Sequence, residues 1–263
     1  MADILSTDLI APFIPPGALC SRLIVLDQVD STNTHLKRLA TEGAEHGTIV
    51  VVDSQTAGRG RADRSFHSPA GRGVYFSILF RPDVELAGVT AITAFSAVAV
   101  CRAIEAACGI APQIKWVNDL VIDDKKLCGI LTESSVSNSG RYYIIGVGIN
   151  VHHGPTDFPE ELQGTATSLA MHTTCPIQRA RLIAELIGAF SNMYQALLTN
   201  PAPYIACYKE LSACIGRNIY VYQNNLRRAA HALGINDDCG LHVRYEDGTE
   251  EMLQYGETSI RKT

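Results

Sequence analysis

The sequence predicts an α+β fold in which a mixed sheet is packed by helices and a small β-barrel or sandwich follows. Three observations carry that expectation. Short β-rich apolar runs and long periodic helical segments are interleaved over residues 21–213. After Gly216 the pattern turns to period-two alternation broken by turn residues, the signature of a small all-β unit. The 263 residues are 46% hydrophobic and 19% charged, enough apolar material for one large domain or a large and a small one. The expected units are an N-terminal extension over 1–20, a main domain over 21–213 and a small β domain over 214–263.

Each element has a local reason. Pro15 and Pro16 block a helix, so residues 1–20 read as irregular. "RLIVLDQVDSTNTHLKRLATEG" reads as a strand, a polar turn and a helix, with Asp30 or Ser31 as N-cap and Gly43 as the stop. "GTIVVVDSQ" and "GVYFSILF" are strands that flank an arginine-rich loop. "GVTAITAFSAVAVCRAIEAACG" is a long, mostly apolar helix closed by Gly109 and suited to support a sheet. The β-like runs "PQIKW", "KLCGILTESS" and "RYYIIGVGINV" follow, with Asp123, Asp124 and Lys125 turning between the first two. "PIQRARLIAELIGAFSNMYQALLTN" is a strongly periodic helix and "APYIACYKELSACIG" a shorter one. In the tail, Asn224-Asn225, Asp237-Asp238 and Asp247-Gly248 mark turns between strands.

Bulk composition narrows function. The net charge of −5 argues against a polyanion as main partner, because nucleic-acid binding normally requires a basic balance or stripe. The eight cysteines form no CxxC pair and sit mostly among apolar neighbours, which indicates free thiols in a reducing compartment and neither a disulfide framework nor a zinc site. No secretory signal or arginine-rich transit peptide is visible, and no stretch reads as the roughly 20 apolar residues of a membrane span. The expected location is cytoplasmic. His152-His153 follow a strand without a third ligand at useful spacing and read as surface residues.

The chemistry concentrates in a few stretches. "SQTAGRGRADRSFHSP" sets Arg59, Arg61 and Arg64 among glycines between two strands. Glycines let backbone approach a ligand, and arginines offer bidentate donors to carboxylate or phosphate. The spacing alone also fits a solvated hairpin tip, and it is not a phosphate-cradling GxxxxGK[ST] loop. "DSTN" (residues 30–33) puts short polar side chains at a helix start, where free N–H groups point outward, although capping alone explains such residues. "KWVNDL" (115–120) supplies a lysine, an amide and a carboxylate. "DDKKLCGIL" (123–131) sets Lys126 three residues before Gly129, and "GVGINV" (146–151) offers two glycines and Asn150.

The order DSTN, QTAGRGR, KWxNDL, KLCGIL, GVGIN, ATSL resembles biotin protein ligases, also called biotin–[carboxylase] ligases, of the biotin and lipoate ligase superfamily. The resemblance runs from about Leu26 to Leu169 and resumes at "GETSIR". It implies a class II synthetase-like catalytic domain with a small SH3-like C-terminal β-barrel. Such enzymes join biotin to ATP, giving biotinyl-5'-AMP and pyrophosphate, then pass biotin to a lysine of a biotin carboxyl carrier domain. By this resemblance Lys126 and Arg61 are the catalytic residues. Ser31, Thr32, Asn33 and Gln55 would hold biotin's ureido end, with Arg59, Gly60, Arg61, Lys126 and Gly129 around the rest of the acid. Arg61, Arg64, Phe66, Lys115, Asn118, Asp119 and Asn150 would serve ATP, and Asp119 would help hold Mg2+.

Three departures from the family pattern stand out. Asp63 occupies a usual glycine position, Phe66 a usual tryptophan and Val117 a usual proline. Asp63 puts a negative charge and a less flexible backbone into the loop expected to retain the adenylate. Many bacterial relatives carry an N-terminal helix-turn-helix domain; with 20 residues before the main domain, the expectation is a ligase without a DNA-binding function. Family members occur as monomers and as dimers that pair edge strands, so a homodimer is among the implied assemblies. The alternatives are a lipoate or octanoate enzyme of the same superfamily and a non-catalytic biotin or nucleotide binder. A lipoyl pocket needs an apolar tunnel, whereas a biotin pocket needs polar partners such as Ser31, Thr32 and Gln55.

Overall fold

The computed structural model describes residues 4–260 apart from 62–63, 85, 87, 138–139 and 224–225. Asp63 and the expected Asn224-Asn225 turn lie outside the described residues. Seven strands make the main sheet: β1 (Arg22–Val29), β2 (Thr48–Gln55), β3 (Gly73–Phe80), β4 (Gln113–Lys115), β5 (Asp119–Ile122), β6 (Lys125–Ser137) and β7 (Gly140–Asn150). Their spatial order is β1-β2-β3-β7-β6-β5-β4. The β1–β2 pair is parallel and the other pairings are antiparallel, so the sheet is mixed as expected.

The two faces of this sheet do different work. Ile49, Val51, Phe76, Ile78, Ile145 and Val147 face a large core shared with α3 (Val89–Cys108) and α4 (Arg179–Thr199). Alternate residues Val50, Val52, Tyr75, Leu79, Tyr142 and Ile144 face α2 (Thr32–Thr41) through Leu36 and Ala40. Period-two side-chain alternation produces this division, and β2 and β3 read as continuous apolar runs because helices cover both faces. Among the described residues α3 alone has the length and composition to cross a membrane; it is instead a core helix, mostly buried against the sheet and α4. The sequence reading that no segment has this composition is therefore corrected. Gly109 closes α3 at φ 67°, the left-handed geometry of a C-terminal stop.

Three expectations need revision. The turn at Asp123 and Asp124, with φ 50° and 60°, joins an additional short strand, β5, to β6. Four residues are too few for periodicity to reveal that strand. Residues before β1 are also not wholly irregular. Ser6 caps α1 (Thr7–Ile10), Ile10 is fully buried, and Leu19 donates its N–H to Ser191 Oγ at 2.6 Å. Burial of Ile10 and docking on α4 order a segment whose prolines forbid only a long helix. The third revision concerns the C-terminal unit. After α5 (Ala202–Glu210) come β8 (Asn218–Gln223), β9 (Leu226–Ile235), β10 (Leu241–Tyr245), β11 (Glu250–Leu253) and β12 (Glu257–Ile260). They form an antiparallel sheet in the order β11-β10-β9-β8-β12, open at both edges, and not a closed barrel.

The small sheet is fixed to the main one through Trp116. Its indole N–H donates to the Cys239 carbonyl at 2.9 Å, and its own carbonyl accepts from Thr258 Oγ1 at 3.1 Å. Arg217 adds a bidentate pair to Asp124, with both contacts at 2.8 Å. Strand β12 is thereby held beside the loop between β4 and β5.

Candidate active site

A gap in the α2 face of the sheet makes the site. Along β7 the residues on that face run Tyr142, Ile144, Gly146, Gly148, two large side chains and then none. Gly148 pairs with Gly129 of β6 and Tyr75 of β3, so adjacent strands leave bare backbone as a floor. A Cβ on Gly148 would lie 2.6 Å from the Phe66 ring, which covers this floor. On Gly146 it would lie 2.1 Å from Asn33 Oδ1.

The start of α2 closes one end of the gap. Ser31, Thr32 and Asn33 are all buried there. Asn33 Nδ2 donates to the Leu131 carbonyl at 3.2 Å and to Glu133 Oε2 at 2.9 Å, while Oδ1 accepts from Ser77 Oγ at 2.7 Å. Its amide is thus engaged by protein and shapes the wall. Gln55 Oε1 accepts from the Thr32 N–H at 2.9 Å and from Thr32 Oγ1 at 3.2 Å. Every residue expected to hold the acid lines this inner pocket: Ser31, Thr32, Asn33, Gln55, Arg59, Gly60, Arg61, Lys126 and Gly129.

The arginine loop folds over the pocket as a short hairpin. Phe66 N–H donates to the Gly58 carbonyl at 2.9 Å, and Gly60 N–H to the Arg64 carbonyl at 2.7 Å. Arg59 Nη1 reaches both carboxylate oxygens of Glu133 at 3.0 Å, and Arg61 Nη1 donates to Asn118 Oδ1 at 3.0 Å. The loop is therefore an ordered cover in its described part.

Beyond Lys126 the pocket opens into a cleft of about 540 Å³. Arg61, Arg64, Phe66, Lys115, Asn118, Asp119 and Asn150, the residues expected to serve a nucleotide, all line it. Asn150 donates through Nδ2 to the Thr167 carbonyl at 3.0 Å. The strand backbone at Lys126 is clamped by its N–H to the Thr165 carbonyl and by the Thr167 N–H to its own carbonyl, both at 2.8 Å. Lys126 thereby stands at the junction of pocket and cleft.

Asp119 is the electrostatic centre of that junction. Its Oδ1 lies 2.7 Å from Lys126 Nζ, an ion-pair contact whose angle falls short of a good hydrogen bond, and Oδ2 lies 3.4 Å from Lys115 Nζ. Burial by itself would raise this carboxyl, but the Lys126 and Lys115 charges together outweigh it and hold the group below the usual carboxylate range. Both oxygens already face cations. Among the described residues no group of three or more His, Cys, Asp or Glu is arranged to hold a metal. This donor set does not fit a resident metal; it fits at most one ligand to an ion carried in on phosphates.

Several lining residues were not singled out in the sequence. Phe158 and Leu162, from the loop after β7, and Tyr222, Thr258 and Ser259, from the C-terminal sheet, line the cleft. The "ATSL" and "GETSIR" stretches signalled their neighbourhood without identifying side chains. His153 corrects the surface reading given to the histidine pair. It is fully buried, stacks on Phe158 with ring centroids 4.7 Å apart, and neither ring nitrogen has a hydrogen-bond partner.

An inner polar pocket and an outer cleft meeting at a lysine–carboxylate pair define a two-substrate site for anionic molecules. Sequence comparison makes the assignment specific. Residues 25–150 match the Biotin/lipoate A/B protein ligase family. The bifunctional ligase/repressor BirA of Bacillus subtilis is 39% identical over 232 residues, covering 88% of this chain and 71% of that protein. A biotin–[acetyl-CoA-carboxylase] ligase of Mycobacterium tuberculosis is 30% identical over 214 residues, 79% of this chain and 77% of its own. The solved biotin protein ligase of Aquifex aeolicus, in complex with biotin and ATP, matches with TM-score 0.78 at 27% identity, over 92% of this chain and 100% of that one. The chain belongs to the biotin/lipoate A/B protein ligase family.

Proposed function

We propose that this chain is a biotin–protein ligase that makes biotinyl-5'-AMP from biotin and ATP and transfers biotin to a lysine of a biotin carboxyl carrier domain. The observation that carries the reading is the position of Lys126, between a pocket with Ser31, Thr32 and Gln55 at its closed end and a cleft large enough for a nucleotide. In the first step a carboxylate oxygen of biotin attacks the α-phosphorus, the Pα–O bond to the β-phosphate breaks, and pyrophosphate leaves. Both reactants are anions, so cations fixed at their meeting point lower the barrier. Lys126 and Arg61 fill that role, with Lys115 on the phosphate side.

In the second step the acceptor ε-amine attacks the acyl carbon, AMP leaves with the bonding electron pair, and the amine loses a proton. Until that amine arrives the anhydride must be kept from water, and the Arg59–Phe66 hairpin is the cover for it. Arg64, Phe66, Asn118 and Asn150 border the nucleotide side. Mg2+ would enter on the triphosphate, where Asp119 is a candidate for one place in its shell and the ion would neutralise phosphate charge. The eight free cysteines support a reducing, cytoplasmic setting.

The test is pyrophosphate release from ATP with biotin or lipoate, for the wild type and Lys126→Ala. Biotin-dependent release that falls at least about 100-fold in the variant is expected, as for loss of an electrostatic group acting in the transition state. Lipoate-dependent release moves the substrate, and biotin binding with no release leaves a binder.

A further inference from the structure

Ser68 lies outside both compartments yet is wired to each side of the inner pocket. It is 6% exposed. Its hydroxyl oxygen accepts from Gln55 Nε2 at 2.8 Å and donates its proton to the Phe66 carbonyl at 2.9 Å. The Gln55 backbone N–H donates to the Ser68 carbonyl at 3.1 Å, so the two residues are also paired through the main chain. Phe66 in turn covers the glycine floor and closes the hairpin through its N–H to Gly58.

The polarity of this chain of bonds is fixed. The Thr32 backbone N–H can only donate, so the Gln55 group facing it must be the carbonyl oxygen and the group facing Ser68 must be the NH2. Ser68 then receives a hydrogen from Gln55 and has its own proton for the Phe66 carbonyl, which can only accept. Reversing the Gln55 amide would set donor against donor at Thr32. Of the two Nε2 hydrogens, one is used by Ser68; no described residue accepts the other, and Gln55 lines the pocket. The pocket is therefore left with a spare amide donor suited to a carbonyl oxygen or sulfur acceptor on the bound acid.

Space around this node is tight. A Cβ on Gly58 would lie 2.4 Å from the Phe66 carbonyl oxygen, 2.7 Å from Ser68 Oγ and 3.1 Å from Gln55 Nε2. Three groups from the pocket wall and the loop thus converge on one bare backbone position, and a shift of Gln55 cannot be absorbed there without moving the loop.

We propose that Ser68 is a positioning residue that couples occupancy of the inner pocket to closure of the arginine hairpin. A ligand that engages the spare Gln55 hydrogen fixes the amide, the amide fixes Ser68, and Ser68 holds the Phe66 backbone and with it the loop carrying Arg59, Arg61 and Arg64. The inference rests on the proposed biotin-binding function.

Trypsin cleavage at the hairpin arginines reads the coupling directly. Full-length wild type, Ser68→Ala, Ser68→Cys and Ser68→Thr are digested with and without biotin at a concentration that saturates each, set by calorimetry. Wild type is expected to show hairpin cleavage slowed at least about ten-fold by biotin, the size of one relay hydrogen bond. Ser68→Ala should bind biotin and lose most of that protection, and Ser68→Thr, which keeps the hydroxyl, should restore it. Ser68→Cys keeps the volume with a poor hydrogen-bonding group and carries the test where the alanine variant does not fold. Protection in Ser68→Ala or Ser68→Cys equal to the wild type overturns the relay alone. Wild type that binds no biotin overturns the proposed function itself, and that result is visible before any variant is compared.

Discussion

The buried His153 gives the protein a calculable weakness to acid. Its ring is fully buried, stacked on Phe158 at an interplanar angle of 9°, with His67 at 6.0 Å between centroids. Burial, reinforced by the neighbouring His67, Arg72 and His152 and opposed by Asp157, lowers its pKa from 6.5 to about 4. Above 6.5 the ring is neutral in both folded and unfolded chains and contributes no pH dependence. Between 6.5 and about 4 the unfolded chain takes up a proton that the folded chain refuses, so stability falls as the pH falls. At about 1.4 kcal/mol per pH unit, the full window amounts to a loss of at most about 3.5 kcal/mol. His153→Phe keeps an aromatic ring against Phe158 and removes both the titration and two unpartnered nitrogens. At pH 7.5 the variant should be at least as stable as the wild type. By pH 4.5 it should be ahead by about 2 kcal/mol more than at pH 7.5, since most of the window has then been crossed. Urea unfolding followed by the fluorescence of Trp116, the single tryptophan, measures both at each pH. Stability curves of the two proteins that stay parallel from pH 7.5 to 4.5 would refute the assignment.

Two further substitutions test the frame of the site. Gly146→Ala should drive the new methyl into Asn33 Oδ1, break the amide's bonds from Ser77 Oγ to Oδ1 and from Nδ2 to Glu133, and weaken biotin binding by at least about ten-fold, read by calorimetry. Trp116→Phe should leave the buried Cys239 carbonyl without its donor and cost about 1–3 kcal/mol, read as a lower urea midpoint by circular dichroism in both proteins.

Legibility in the sequence depended on the kind of interaction. Strands β2 and β3 and helix α3 were readable because continuous apolar runs and a terminal glycine are local signals. Strand β5 was not, since four residues between two polar turns carry too little pattern. Closure of the C-terminal sheet is a matter of which strands meet, and period-two alternation is the same for an open sheet and a barrel. Within the site, ordered short motifs pointed to Lys126, Asp119 and the hairpin arginines, and the structure brings these residues together. That Asp119 pairs two lysines was not legible, because Lys115 and Lys126 reach it from different strands. The same holds for Ser68 and Glu133, whose roles come from contacts 13 and 74 positions away along the chain.

The paired charges also divide the site into a part that exchanges partners and a part that stays. Three cations, Arg59, Lys115 and Lys126, pair with two carboxylates, Glu133 and Asp119, and Arg61 lines the same site, so it is locally positive in a chain of net charge −5. The carboxylates keep the cations from repelling one another. The Arg59–Glu133 pair is partly exposed, and such pairs contribute only about 0–1 kcal/mol, so an incoming anion displaces Glu133 at little cost. The Asp119 carboxylate is more enclosed than Glu133 and faces two lysines at once, so its pairs are the costlier ones to break. On the proposed reaction the hairpin arginine is therefore the group that changes partner as substrate arrives. Lys126 is held at one point by Asp119 and by the clamped backbone of β6. A cation that can change partner suits the capture of an acid, and a fixed one suits the bond-making atom, where positioning governs the rate.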